Sequence, residues 1–284
     1  MTTFPSSPIA LLGAGWLGEP LARALAAAGY PVRVSTTTPA RQAELTATGL
    51  PAYRLVLEPD AAAADWQPFL ATAAAVVISI PPGLRGASDA PATAARYAAR
   101  LARLGELLAT TDVQRVILLS STAVYPDLPN APELAEDAAD PAHPLGRAEA
   151  ALAASLPVGV ALIVVRLGGL LGPGRAPGRF FGPDRPVPQP ESPVNLVHLT
   201  DAIGAIRALL MAPAARGAFA VCAAEHPTRA IFYSAAARAL NLPEPAFLWT
   251  ATPPVGKQVS SARLRNLTGF HFRYDDPLAA LAAC

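Results

Sequence analysis

A glycine-rich segment near the N-terminus places the strongest constraint on what this chain can fold into. Residues 13–18 read Gly-Ala-Gly-Trp-Leu-Gly, after the short apolar run Pro8–Leu12 and at the start of a helical pattern over Leu17–Ala28. In a strand–turn–helix unit, the first glycine permits a tight turn, the second lets a pyrophosphate approach the backbone, and the third allows close packing of helix on strand. The segment therefore predicts a dinucleotide-binding turn. Its predicted cofactor contacts are Gly13, Gly15, Trp16, Leu17 and Gly18.

The first half of the chain alternates short apolar runs with helical patterns. After the first strand, the pattern predicts strands over Val32–Thr36, Tyr53–Leu57, Ala75–Ile80, Val116–Ser120 and Val160–Arg166. Helices are predicted from Thr38-Pro39 onwards, over Ala90–Ala109 and over Arg147–Ala154. Such alternation implies right-handed crossovers and a parallel sheet covered on both faces. We therefore predict an α/β fold, a doubly wound parallel sheet of the Rossmann type.

The regular alternation stops in the segment Gly172–Pro193, which is rich in proline, glycine and arginine. This composition is typical of an ordered loop over a site or of a mobile lid. A helix over Thr200–Met211 and a strand over Ala218–Cys222 are predicted to follow. We expect a dinucleotide-binding domain over residues 1–170, and over 171–284 a smaller substrate-side lobe interleaved with the last strands of the sheet.

Charge and cysteine content exclude several classes of partner. The net charge of this 284-residue chain is +1, so the chain lacks the excess of positive charge that is typical of nucleic-acid-binding proteins. No apolar run approaches the ~20 residues that span a bilayer, and no basic residue of a secretion signal precedes Arg23. Cys222 and Cys284 are isolated, with no spacing suited to zinc or to a disulfide framework. We expect a cytoplasmic protein without a metal, a nucleic-acid partner or a membrane partner.

The end of the second strand indicates which dinucleotide is bound. An NAD site carries an acidic residue there that holds the ribose 2′-hydroxyl, whereas the segment Arg33–Arg41 contains no acid. Hydroxyl groups in this segment can bond a 2′-phosphate instead, and Arg41 can supply charge, unless it is only a solvated helix residue. We predict NADP in preference to NAD. The predicted contacts here and at the ends of the later strands are Ser35, Thr36, Thr37, Arg41, Ile80, Pro81, Pro82 and Ser120.

Four segments in a fixed order extend the pattern over nearly the whole chain. Residues 118–125 read Leu-Leu-Ser-Ser-Thr-Ala-Val-Tyr, and residues 164–175 run from an arginine-containing strand into Gly-Pro-Gly-Arg. Residues 194–201 include Val-His-Leu-Thr-Asp, and residues 263–274 end in Leu-Thr-Gly-Phe-His-Phe-Arg-Tyr. Together they resemble the NAD-dependent epimerase/dehydratase group, the extended and atypical branches of the short-chain dehydrogenase/reductase superfamily. The resemblance implies an oxidoreductase or epimerase-like protein that acts on a small molecule and forms a homodimer.

The chain departs from this family at the catalytic residues. The resemblance implies a Ser or Thr, a Tyr and a Lys, the last two spaced Tyr-x-x-x-Lys on the helix after the fifth strand. Ser121 matches the serine, but alignment on the Gly-Arg pair at 146–147 puts Leu145 at the tyrosine and Glu149 at the lysine. The sole lysine, Lys257, follows Pro253 by four residues, so no realignment restores the motif.

Without the lysine, a tyrosine loses the main group that lowers its phenol pKa from ~10. Tyr125 and His143 remain candidate proton donors beside Ser121, because an imidazole titrates near neutral pH without such help. The alternative is that Tyr125 only packs and His143 is an exposed loop residue. For the whole chain, the alternative to an enzyme is a non-catalytic dinucleotide-binding sensor or scaffold.

The substrate side carries weaker signals. Family members that act on nucleotide sugars often place an arginine shortly before the histidine of the third segment, and Val194 stands there in this chain. Arg175, Arg179 and Arg185 flank two phenylalanines, so they form either an anion-and-ring pocket or a solvated basic loop. We also expect Arg166 to be buried and paired, and Asp201 to cap the helix that follows it.

Overall fold

The computed structural model describes residues 7–84, 86–250 and 253–284 of the chain, and these fall into two compact units. The described residues of the first unit lie within Met1–Ser120, Pro141–Val165 and Leu209–Gly217. The second unit contains Ser121–Asp140, Arg166–Ala208 and Ala218–Cys284.

This division differs from the predicted single boundary after residue 170, because the segment after the fifth strand joins the second unit. Residues Leu128–Pro129 pair with Val255–Gly256, and Glu133–Leu134 pair with Gln258–Val259. These pairings join parts of the chain more than 120 residues apart. No local pattern in the sequence indicates them.

Seven strands form the central sheet in the order β7-β6-β5-β4-β1-β2-β3. They are β1 (Ile9–Leu12), β2 (Val32–Thr36), β3 (Ala52–Arg54), β4 (Ala75–Ile78), β5 (Arg115–Ser121), β6 (Ala161–Leu167) and β7 (Gly217–Val221). Strands β1 and β4 are buried along their whole length and pair in parallel, with Ile9 opposite Ala75. The predicted α/β fold with a doubly wound parallel sheet is confirmed.

Eight α-helices occur in the described residues. They are α1 (Gly18–Ala27), α2 (Pro39–Ala47), α3 (Ala63–Leu70), α4 (Ala90–Leu107), α5 (Pro144–Ser155), α6 (Leu199–Met211), α7 (Arg229–Ala239) and α8 (Ala262–Thr268). Helix α3 was not predicted from the sequence, and Pro68, a residue that disfavours a helix interior, lies inside it. It nevertheless buries Trp66 and Phe69. Tertiary burial of these two rings outweighs the weak local signal.

The predicted third strand is longer than the observed one. Strand β3 covers only Ala52–Arg54. The Leu55 amide still bonds the Thr36 carbonyl oxygen of β2 at 2.9 Å, and residues 55–57 line a cavity. The second half of the predicted apolar run therefore forms part of a cavity wall. A binding surface beside a sheet edge can therefore imitate a strand in the sequence.

Helices α4 and α5 pack against each other in the first unit. A methyl group on Gly105 would overlap the Ser155 hydroxyl, so the glycine sets how closely these helices approach. Asp89 is the N-cap of helix α4, and its carboxylate accepts a hydrogen bond of 2.9 Å from the Ala92 amide. This packing holds the inner face of α5 in place, including the buried Glu149.

In the second unit, the irregular segment 172–193 is packed on helix α7. Its single helical turn, Pro177–Arg179, approaches so closely that a methyl group on Gly178 would overlap the Ala236 carbonyl oxygen. The centre of this segment is therefore packed in place, which agrees with the ordered loop, one of the two alternatives predicted for it. Among the described helices, none combines the length and the apolar character that a membrane span requires.

Candidate functional site

The three glycines of the N-terminal turn differ in what surrounds them. Gly13 has a φ of +99°, and a side chain there would come within 3.0 Å of the Ser79 carbonyl oxygen. A methyl group on Gly18 would overlap the Gly13 carbonyl oxygen, whereas one on Gly15 would meet no atom within 4 Å. Two of the glycines are thus required by the fold, and the third leaves a space beside the backbone. That space is the one a pyrophosphate would need.

Ser35 holds the turn in position from the neighbouring strand β2. Its hydroxyl accepts a hydrogen bond of 3.0 Å from the Gly13 amide, and its carbonyl oxygen accepts one of 2.8 Å from the Ala14 amide. The side chain is 1% exposed. Ser35 was predicted to bond a 2′-phosphate, but the structure places its hydroxyl on the turn, where it orders the backbone.

A cavity of about 380 Å³ lies beside this turn within the first unit. Its walls come from the turn, from the ends of β2 and β4, and from residues 55–57. The predicted cofactor residues in its lining are Gly13, Gly15, Ser35, Thr36, Thr37, Ile80 and Pro81. None of the described residues that line it is an Asp or a Glu. The remaining predicted contacts lie elsewhere, with Leu17 buried and Trp16 and Pro82 half-buried.

The cation that faces this cavity is Arg100 on helix α4, which sequence reasoning missed. Glu58 accepts hydrogen bonds from Arg100 and from Arg96, and these two bonds hold the pKa of the Glu58 carboxyl below its ordinary value. Arg100 follows Arg96 by one helical turn, and only Arg100 lines the cavity. In the sequence, both read as ordinary surface residues of an amphipathic helix.

Arg41, the cation predicted from the sequence, has other partners. It forms ion pairs with Glu19 and with Glu44, and it is not part of the cavity lining. Hydrogen bonds from Arg23 and then the charge of Arg41 lower the pKa of the Glu19 carboxyl. Arg41 thus joins α1 to α2, so the predicted phosphate contact would have to compete with two carboxylates.

Ser120 and Glu149 form a pair at the carboxyl end of β5. The Ser120 hydroxyl donates a hydrogen bond of 2.5 Å to Glu149, whose side chain is buried on α5. Ser120 was predicted to contact the cofactor, whereas in the structure its hydroxyl is hydrogen-bonded to Glu149. Glu149 occupies the position that alignment assigned to the family lysine, so a buried acidic residue replaces a basic one there. Burial and the Glu149 charge raise the pKa of the nearby Tyr97.

The three predicted catalytic residues have different environments. The Ser121 hydroxyl accepts a hydrogen bond of 3.2 Å from the Ala123 amide and remains half-buried. Tyr125 is 2% exposed, and its hydroxyl accepts a bond of 3.3 Å from Arg166, whose guanidinium also lies 5.4 Å from the tyrosine ring centre. The packing interpretation therefore describes Tyr125. Arg166 is buried and paired, as expected.

His143, in the first unit, is the N-cap of α5. Its Nδ1 atom accepts a hydrogen bond of 3.1 Å from the Leu145 amide, which requires the neutral ring with its proton on Nε2. The prediction that Asp201 caps the following helix is wrong. Its carboxylate instead accepts the amides of Arg273 and Tyr274, at 2.7 and 3.0 Å.

A second cavity, of about 260 Å³, lies entirely within the second unit. Two cationic side chains, Lys257 and Arg229, line it together with the Tyr233 ring and the Asp127 carboxylate. Sequence reasoning noted Lys257 as the sole lysine but assigned it no site. The signal that could have identified Lys257 was that it is the only lysine in the sequence. The Tyr-x-x-x-Lys spacing could not have identified it.

The three arginines predicted to bind substrate are not part of this cavity lining. Arg179 and Arg185 are exposed, and the Arg185 guanidinium lies 5.7 Å from the centre of the Phe181 ring. Arg175 is half-buried, and its amide bonds the Gly172 carbonyl oxygen at 2.9 Å. The solvated-loop interpretation fits Arg179 and Arg185. Among the described residues, no group of His, Cys, Asp or Glu could hold a metal ion.

The turn, the sheet order and the order of the four motifs agree with a comparison against known families. The NAD dependent epimerase/dehydratase family matches residues 9–182. The chain belongs to this family. It is also 36% identical to Protein YeeZ of Escherichia coli strain K12, over 95% of this chain and 97% of that protein.

The fold is similar to that of several solved structures. The human epimerase family protein SDR39U1 with NADPH has a TM-score of 0.71 at 20% identity, over 97% of this chain and 98% of that one. The Bordetella bronchiseptica enzyme WbmG in complex with NAD has a TM-score of 0.79 at 16% identity, over 100% and 94%. At these identities the likeness concerns the fold alone. The first of these structures contains NADPH and the second contains NAD.

Proposed function

We propose that this chain is an NADP-dependent oxidoreductase or epimerase-like enzyme whose usual catalytic residues are degenerate. The observation that carries the proposal is the cavity of about 380 Å³ beside the glycine turn, with Arg100 in its wall and no acid among the described lining residues. A 2′-phosphate needs a cation and hydroxyl groups, and a free 2′-hydroxyl is usually held by an acid. Thr36 and Thr37 supply the hydroxyl groups. Arg100 supplies the cation, because it lines the cavity, which Arg41 does not, and shares its carboxylate partner, Glu58, with Arg96.

The residues present fit a dinucleotide at this turn. Gly15 leaves the backbone open to a pyrophosphate, Ser35 fixes the Gly13 amide, and Ile80 and Pro81 form the wall at the end of β4. When bound, the cofactor supplies the hydride acceptor or donor. Ser121 would then polarise a substrate carbonyl through its hydroxyl. Solvent would supply the proton, because the Tyr125 hydroxyl is buried against Arg166 and the Nδ1 atom of His143 accepts the Leu145 amide.

A second candidate function is a dinucleotide-binding sensor or scaffold without turnover. Leu145 and Glu149 at the positions of the family's Tyr and Lys favour it, since neither side chain can lower the pKa of a phenol. Both candidates require the cofactor, so a binding experiment tests what they share. A turnover experiment then separates them.

The binding experiment titrates NADPH and NADH against the purified protein and follows fluorescence. We expect NADPH to bind more tightly than NADH. Arg100→Ala should weaken NADPH binding about tenfold or more, the loss expected for one charge-assisted bond, with little effect on NADH. Arg96→Ala is the matched control, because Arg96 shares Glu58 with Arg100 but does not line the cavity. Equal affinity for the two cofactors would overturn the NADP assignment, and no binding of either would overturn both candidates.

The turnover experiment measures NADPH oxidation with a panel of small carbonyl compounds. Activity that falls about a hundredfold in Ser121→Ala, with cofactor binding unchanged, would identify an enzyme. Tight NADPH binding with no oxidation across the panel would favour the sensor or scaffold.

A further inference from the structure

We propose that the cavity of the second unit binds a small anionic group, a phosphate or a carboxylate, through Lys257, Arg229 and Tyr233. The inference deepens the proposed function and rests on it, because it assigns this anionic group to the substrate. We call these three residues with their cavity the anion site. Its location differs from the predicted one at Arg175, Arg179 and Arg185.

Lys257 is fixed in the wall of the anion site by its backbone and by its side chain. The Asn195 side-chain nitrogen donates to the Lys257 carbonyl oxygen at 2.8 Å, and the Asn195 side-chain oxygen accepts from the Val259 backbone amide at 2.7 Å. The Lys257 ammonium donates to the Tyr125 carbonyl oxygen, and its side chain is only 13% exposed. Asp127, 3.1 Å from the ammonium, is 59% exposed. A largely buried cation thus lines the cavity, with an exposed surface carboxylate as its counter-ion.

Arg229 and Tyr233 complete the site from one face of helix α7, where they lie one turn apart. The Arg229 guanidinium donates to the Pro188 carbonyl oxygen at 3.0 Å, which holds it at the cavity wall and leaves its other N–H groups for a ligand. The Tyr233 ring is packed edge-on against Phe181 and Phe232, with ring centres 4.6 and 5.3 Å away. Burial raises the pKa of Tyr233, so its hydroxyl stays protonated and able to donate.

Charge and size define the ligand class. The charged residues among the described lining residues are two cations and one acid, which gives this lining a net positive charge. Three donors of different geometry around one space are suited to the oxygens of a phosphate or a carboxylate. A volume of about 260 Å³ lies below the usual range for drug-sized ligands, about 300 to 1,000 Å³. The site therefore favours a small acid or phosphate ester over a nucleotide sugar.

The test titrates the cofactor-free full chain with inorganic phosphate, with malonate and with uncharged glycerol, using calorimetry. We expect weak, millimolar binding of phosphate or malonate and none of glycerol. The better of the two anions tells a phosphate from a carboxylate. Lys257→Met and Arg229→Ala should each weaken binding about tenfold or more, and Tyr233→Phe less. Arg238→Ala, an exposed arginine on the same helix, is the matched control.

Asp127→Asn gives the sharpest result, because it should act in the opposite direction. If Asp127 competes with the ligand for Lys257, its neutralisation strengthens anion binding, whereas a purely structural Lys257–Asp127 pair predicts no gain. No anion binding by the wild type, or an equal loss in Arg238→Ala, overturns the anion site. NADPH titration of the same variants keeps the outcomes distinct. Normal NADPH binding without anion binding refutes only this inference, and anion binding without NADPH binding refutes the proposed function.

Discussion

The two cavities are built from different kinds of chemical group. The cavity of the first unit is made largely by backbone: a glycine turn fixed by Ser35, the ends of two strands and, as the one cation among the described lining residues, Arg100. The anion site is made largely by side chains, which come from segments that only long-range pairing joins. A backbone cradle accepts a group that all its ligands share, whereas charged side chains select one ligand chemistry. On the two proposals above, the first unit would bind the group that all ligands share and the second the group that distinguishes the substrate.

The largest effect is expected within the glycine turn, where two substitutions of the same kind should separate fold from binding. Gly18→Ala forces a methyl group onto the Gly13 carbonyl oxygen, and we expect a loss of about 3 kcal/mol in the free energy of unfolding. Gly15→Ala meets no atom within 4 Å, so stability should change by less than about 1 kcal/mol while NADPH binding is lost. Denaturant unfolding and cofactor titration of both variants provide the measurement. Equal stability of the two variants would show that the backbone cradle is not built as described.

The next comparison concerns the polar side chains that hold each cavity's backbone. Asn195 satisfies two backbone groups of the second unit, and the Ser35 hydroxyl satisfies one of the first. At about 1 kcal/mol for each hydrogen bond, Asn195→Ala should cost about 2 kcal/mol of unfolding free energy and Ser35→Ala about 1 kcal/mol. Calorimetric titration should also show weaker anion binding in the first variant only and weaker NADPH binding in the second only. Loss of both ligands in either variant would contradict the independence of the two cavities.

Local features of the molecule were predictable from the sequence, and long-range ones were not. The glycine turn and most of the sheet follow from neighbouring residues, because hydrophobic periodicity and turn geometry act over a few positions. The anion site depends on pairing of Val255–Val259 with Leu128–Leu134, which no local pattern encodes. Arg100 was missed for a related reason: a helix pattern shows which face is polar but not which polar residue faces a cavity.

Competition among charges explains the two residues whose type was predicted correctly and whose contacts were not. Arg41 is a cation near the second strand, but it pairs with Glu19 and Glu44 and is not part of the cavity lining. Ser120 lies at the end of β5, but its hydroxyl donates its hydrogen bond to the buried Glu149. In both cases the partner is an acid whose position only the packed helices determine. A motif therefore identifies candidate residues, and the surrounding charges decide which of them remain available to a ligand.

The smallest effect is expected from the ion pairs around Glu19, which stabilise the first unit without entering its cavity. Arg23 and Arg41 lower the pKa of this carboxyl in the folded state, so its contribution is present above the ordinary carboxyl pKa. The contribution is lost as the pH falls through the lowered value. Because the pairs are partly exposed, Glu19→Gln should cost only a few tenths of a kcal/mol at neutral pH, and the difference from the wild type should vanish in acid. Urea unfolding at neutral and acid pH measures this, with Glu225→Gln as an exposed control. A difference that grows in acid would mean that Glu19 has a role other than pairing with these arginines.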